Sequence, residues 1–205
     1  MARRLEERYI RKPRKRKSTI LIGAEGTNKT ESIYFNNFNR ANSNYRIKMA
    51  NGNSTDPVKM VKDIINTMQQ NDIRINEDGN KVYCLIDADI NPIKNNQIRE
   101  AIKLAKKNGI DIIISNPCFE DWYLCHFEYT TKNFTNSEII SELNKFIKYE
   151  KNIDIFKNIQ DNLDIAIVNA KKQCSYQNSL NRDIHNVESN PSTEVYKIVE
   201  YLKIK

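Results

Sequence analysis

The sequence is poor in several things, and each shortage excludes something. Five glycines and five prolines in 205 residues are too few for long disordered tracts. No apolar run approaches the roughly 20 residues needed to cross a bilayer, which leaves no membrane role. The N-terminus lacks the apolar stretch of a secretory signal, so the chain reads as cytoplasmic. The four cysteines, Cys84, Cys118, Cys125 and Cys174, form no CxxC pair and lie in or near apolar segments. That favours buried reduced thiols over a zinc site or a disulfide framework. No Ser/His/Asp or Cys/His arrangement is readable around the two histidines. The turn GAEGTNKT lacks the G-x-x-x-x-G-K-[ST] spacing of a Walker A loop, and no internal repeat is present.

What remains is a chain able to bury a core, with 39% hydrophobic and 29% charged residues. Its net charge of +7 is unevenly distributed. Residues 1–17 carry nine Lys/Arg and two Glu, a balance of +7, so residues 18–205 balance at zero. The basic character belongs to an N-terminal arm. Such an arm is either a solvated tail or a sequence-independent contact to nucleic acid phosphates.

From Ser18 onward strand-like and helix-like segments alternate. Ser18–Ile22, Tyr45–Met49, Val82–Ile86 and Ile110–Ile114 read as strands. Between them, helical spacing runs over 31–39, from Asp56-Pro57 through Met68, and over 95–108 with Gly109 as its stop. This order predicts an α/β, Rossmann-like domain with a central parallel sheet over 18–130. Beyond Glu120 the strand signal stops. Amphipathic patterns over 137–149, 162–172 and 192–202 predict a C-terminal helical segment, 131–205, packed on the same domain and walling its groove. Residues 174–189 read as a polar loop or flap.

Acidic residues fall where the strands end, the edge at which open parallel sheets bind ligands. Glu25 follows the first strand, Asp87 and Asp89 the third, and Glu120 the fourth. With extended backbone, Asp87 and Asp89 share one side, with only Ala88 between them. Two such carboxylates repel unless a cation lies between them, and hard oxygen donors suit Mg²⁺ or Mn²⁺. A lone DxD is also a common helix cap. The preceding Glu25-Gly26 turn makes the combination more specific. Glu31 is either a further ligand or a helix-dipole partner. Lys29 suits a phosphate contact or an exposed loop lysine, and Asn116 orients a ligand or turns the chain. His126 reads as a hydrogen-bonded histidine in the core or behind the site, and His185 lies in the polar loop.

GAEGTNKTESIYF, YCLIDADIN and SNPCFEDWYLCHF, in this order and spacing, resemble the RloB family, as does NPSTEVYKIVEYL near the C-terminus. That family includes a component of the AbiL abortive-infection system and is similar to TOPRIM domains. The resemblance implies that Glu25 is the TOPRIM glutamate, acting as general acid/base or metal ligand. It implies that Asp87 and Asp89 are the DxD that holds Mg²⁺, and Glu31 a second glutamate able to bind another metal. Glu120 occupies the acidic position of the NPxFExW motif. AEG stands where VEG or CEG is more usual, beside the reactive group. Two cations about 4 Å apart could activate a water and stabilise a leaving oxygen. The implied activity is a Mg²⁺-dependent nuclease acting on DNA or RNA, transfer RNA included. An ABC-type or AAA-like ATPase encoded alongside is the implied partner, and an effector silent without it is the alternative. Topoisomerase and primase readings lack the necessary parts. A phosphate-binding protein with a dead site is the remaining contrast.

Overall fold

The computed structural model describes residues 17–26, 29–75, 77, 79–89 and 91–204. The basic arm, Lys17 apart, lies outside the described residues, as does the Lys29 side chain. The alternation read from sequence is present as β1 (Ser18–Gly23), α1 (Lys29–Asn36), β2 (Tyr45–Met49), α2 (Pro57–Gln70), β3 (Lys81–Asp87), α3 (Lys94–Lys107) and β4 (Asp111–Asn116). These strands pair in parallel in the order β2-β1-β3-β4, a mixed α/β, Rossmann-like arrangement.

Strand alternation sorts the core into two layers. Ile20 and Ile22 of β1, with Tyr83 and Leu85 of β3, enter one layer beside Tyr34, Phe119 and Trp122. Leu21, Val82, Cys84 and Ile86 enter the other, against Val61 and Ile64 of α2 and Ile98 and Ala101 of α3. Strands covered on both faces read as continuous apolar runs, which is why STILIG and VYCLI stand out. In the first layer the Tyr34 ring meets Phe35, Phe38, Phe119, Trp122, Tyr123 and Phe156 at centroid distances of 5.1–6.3 Å. All four cysteines are buried and free.

The Asp56-Pro57 start is confirmed, since Asp56 accepts a 2.8 Å bond from the Lys59 N–H and Pro57 opens α2. Gly23 ends β1 where α2 crosses it. A Cβ there would stand 2.5 Å from Ile64 Cδ1, so any other residue requires the Ile64 side chain to move.

The C-terminal part comprises α4 (Glu120–Leu124), α5 (Asn136–Leu143), α6 (Phe156–Ile159) with a following 3-10 turn, α7 (Leu163–Ser179), β5 (Ser192–Thr193) and α8 (Tyr196–Ile204). Three expectations are corrected here. The helix predicted over 137–149 stops at Leu143, because the Asn144 side chain bonds Tyr149 N–H and C=O and closes a turn; Phe146 is then exposed and stacks on Phe127. α7 continues into the first third of the presumed loop, to Ser179, because Gln173 and Gln177 are buried on hydrogen bonds rather than solvated.

The third correction concerns the sheet. A strand does follow Glu120: Ser192–Thr193 pair antiparallel with Asn116 and Ser115, and Ser115 Oγ lies 2.8 Å from Thr193 Oγ1. Glu194 extends this cover, as its N–H donates to Ile114 C=O and its Oε2 accepts from Ile114 N–H at 3.2 Å. The outer edge of β4 is thereby closed over Ile114–Asn116 by polar residues.

Candidate functional site

β1 connects to β2 on one side and pairs with β3 on the other, so the chain reverses its winding between β1 and β3. Ligands of such sheets sit beyond the strand ends at that point. Glu25 lies just past β1, in a turn whose Gly26 takes φ +62. Asp87 is the final residue of β3. Glu31 sits in the first turn of α1 at 7% exposure, and Glu120 opens α4 at 4%. Asp89 departs from expectation. Its φ is +49, so the backbone is not extended, and the side expected from strand alternation does not apply to it.

The five carboxyl groups act on one another. Burial pushes the Asp87 carboxyl well above its usual range, and Glu31, Glu25, Glu120 and Asp89 each add repulsion in that direction. Burial also raises Glu31, to about 7, with Glu120 and Glu25 contributing. Glu25 is raised by burial in spite of the opposing ammonium of Lys94.

That ammonium is the central finding of the site. Lys94, first residue of α3 and buried, donates to Glu25 Oε2 at 3.1 Å and to Asp89 Oδ2 at 2.6 Å. Asn136, first residue of α5, donates to Asp89 Oδ1 at 2.8 Å. The Tyr149 hydroxyl donates to Glu120 Oε1 at 2.9 Å. Carboxylate oxygens are the donors that Mg²⁺ or Mn²⁺ takes, so the set fits a hard cation chemically. As the side chains stand, however, no group of three among the described residues could hold a metal ion.

The other candidates fall elsewhere. Asn116 is fully buried and donates to Asn186 C=O and Val187 C=O, tying down the segment before β5; its Oδ1 has no partner. His126 is a core histidine. Its Nδ1 lies 2.9 Å from Trp122 C=O, its ring packs edge-on to Trp122, and burial lowers it to about 4, so it stays neutral. His185 pairs with Glu194 at 3.1 Å beside β4. Burial alone would raise Glu194, but His185 and Lys197 outweigh it.

Lys94, Asn136 and Tyr149 escaped the sequence reading. Only Lys94 left a trace there: a cation in the first turn of a helix opposes the helix dipole and implies an acidic partner. No curated protein and no solved structure matches this sequence. One family model does, described as RloB-like protein and covering residues 20–202, a span that contains all five carboxylates together with Lys94, Asn136 and Tyr149. On that match the chain belongs to the RloB-like protein family.

Proposed function

We propose that this chain is a divalent-cation-dependent phosphodiesterase that cuts nucleic acid in a prokaryotic defence system. The observation that carries the reading is the placement of Glu25 and Asp87 at the ends of β1 and β3, at the sheet's switch point, with buried Lys94 bridging Glu25 to Asp89. A merely structural role gives no reason to gather repelling groups there. A glutamate after β1 and a DxD after β3 support a TOPRIM-type domain, and membership of the RloB-like family supports the defence setting.

Glu25, Glu31, Asp87, Asp89 and Glu120 would hold Mg²⁺ or Mn²⁺, which when bound makes a water more acidic and offsets charge on a phosphate oxygen. Glu25, partly exposed and raised by burial, is the carboxylate best suited to take or return a proton. Asn136 and Tyr149 fix the orientations of Asp89 and Glu120. The arm over 1–17 and Lys29 would neutralise substrate phosphates.

The test is incubation of the protein with plasmid, single-stranded DNA and total transfer RNA, with Mn²⁺ or with EDTA. Cleavage of one class, abolished by EDTA and by Glu25→Gln, is expected. A folded Glu25→Gln protein that cuts at the parent rate removes Glu25 from the chemistry.

A second reading, an effector silent until an ABC-type or AAA-like ATPase engages it, is favoured by one surface. Ile165 and Val168 of α7 are each 49% exposed and lie three residues apart on that helix. Co-purification with the ATPase, sized against the lone chain, separates the two readings.

A further inference from the structure

We propose that Lys94 is a built-in stand-in for the divalent cation: its ammonium occupies the position between Glu25 and Asp89 and must leave for an ion to enter. This rests on reading the carboxylate crevice as a cation site, and it adds how entry is controlled.

Three observations carry it. Lys94 is 7% exposed at the N-terminal end of α3, where both burial and the helix dipole disfavour a cation, so its placement needs a compensating reason. Its Nζ lies within 3.4 Å of three oxygens on two separate segments, Glu25 Oε1 and Oε2 and Asp89 Oδ2. Those carboxylates are two of the five that the cation would need, and Lys94 already takes three of their four oxygens. An ammonium left there beside a divalent ion would be repelled by it while competing for the same oxygens.

Lysine suits this part. It is a compact point charge on a flexible four-carbon stem, so its head can swing outward without moving the helix backbone. The exposed turn just before it, Asn91, Pro92 and Ile93, leaves solvent close at hand. While the site is empty Lys94 relieves repulsion among the acids, and it raises the cation concentration needed to fill the site.

The experiment has two arms, both on the full chain with Mn²⁺ as probe. In calorimetric titration, Lys94→Met, of similar length and without charge, is expected to bind Mn²⁺ about tenfold more tightly than the parent. In amine acetylation read by mass spectrometry, Lys94 of the parent is expected to be protected without metal and several-fold more reactive with saturating Mn²⁺, while exposed Lys62 and Lys103 stay unchanged as references. The second arm needs no variant, so it decides the matter even where Lys94→Met fails to fold. If Mn²⁺ binds, yet Lys94 stays protected or the variant binds no more tightly, the lysine is a fixed member of the site and the proposal is overturned. If Mn²⁺ binds neither protein, the cation reading itself falls, and this one with it.

Discussion

The Tyr149 hydroxyl donates to Glu120 Oε1 at 2.9 Å, and both residues are buried. One bond thus joins the turn after α5 to the head of α4. The turn after α5 thereby holds one acid of the candidate site in a set orientation.

Tyr149→Phe removes that donor and leaves a buried carboxyl group without it. Leaving a buried polar group without its hydrogen bond costs about 1–3 kcal/mol, so a loss of that order is expected in urea unfolding. A change below about 0.5 kcal/mol would mean that Glu120 finds another donor at no cost.

Asn136→Ala frees Asp89 Oδ1 while leaving the Thr135–Glu138 capping box of α5 intact. Stability is expected to fall by less than about 1 kcal/mol, since that bond is part-exposed. Cleavage is expected to drop roughly tenfold, because a misplaced group costs far more in rate than in folding. Equal losses in both would assign Asn136 to structure alone.

Asp121 predicts a pH effect on stability. Its carboxyl is fully buried, bonded on one oxygen by Gln173 and unpartnered on the other, and burial raises it from 3.8 to about 7. Between these values the native state keeps a proton that the unfolded chain releases. Its stabilising contribution is therefore complete below about pH 4 and lost as pH climbs to 7. The full effect is on the order of 4 kcal/mol. Asp121→Asn keeps the shape and the Gln173 bond but cannot ionise. Unfolding midpoints measured from pH 4 to pH 8 should fall less steeply in the variant; Glu25, Glu31 and Asp87, raised by burial in the same direction, keep part of the slope, and His126, lowered by burial, opposes it. Identical slopes would show Asp121 to be charged and solvated in the native protein.

Gly23→Ala places a methyl 2.5 Å from Ile64 Cδ1 and Cγ1. A destabilisation of about 1–3 kcal/mol is expected from overpacking. Ile64→Val removes Cδ1, so in a double-mutant cycle it should recover part of the loss. Simple additivity would show that α2 shifts to absorb the methyl.

The elements that sequence reading captured are those whose signal is local. β1 and β3 are apolar because helices cover both their faces, and Asp56 caps α2 from three residues away. The second half of α7 and strand β5 were missed for the opposite reason. Gln173, Gln177, Ser192 and Thr193 are polar yet buried, and what keeps them inside are partners elsewhere in the chain such as Asp121, Pro191 and Ser115. Hydropathy cannot register a polar residue satisfied at a distance.

The candidate site divides in the same way. Parallel strands deliver their ends to one edge, so Glu25, Asp87 and Glu120 could be placed together from chain order alone. Asn136 and Tyr149 lie 47 and 29 positions from the acids they touch, and nothing in their own surroundings announces the contact. The left-handed turn at Asp89 is invisible too, since aspartate is an ordinary residue at a strand end.

The way the sheet is finished bears on how this protein can be handled. Its last edge is sealed by Ser192, Thr193 and Glu194, donated from near the far end of the chain. A shortened protein ending at 130 would keep all five site carboxylates and lose that seal, baring the amides and carbonyls of Ile114–Asn116. Such a fragment would add strands from its own neighbours and come out of solution as sticky multimers, so the carboxylates cannot be studied on the first two-thirds of the sequence alone.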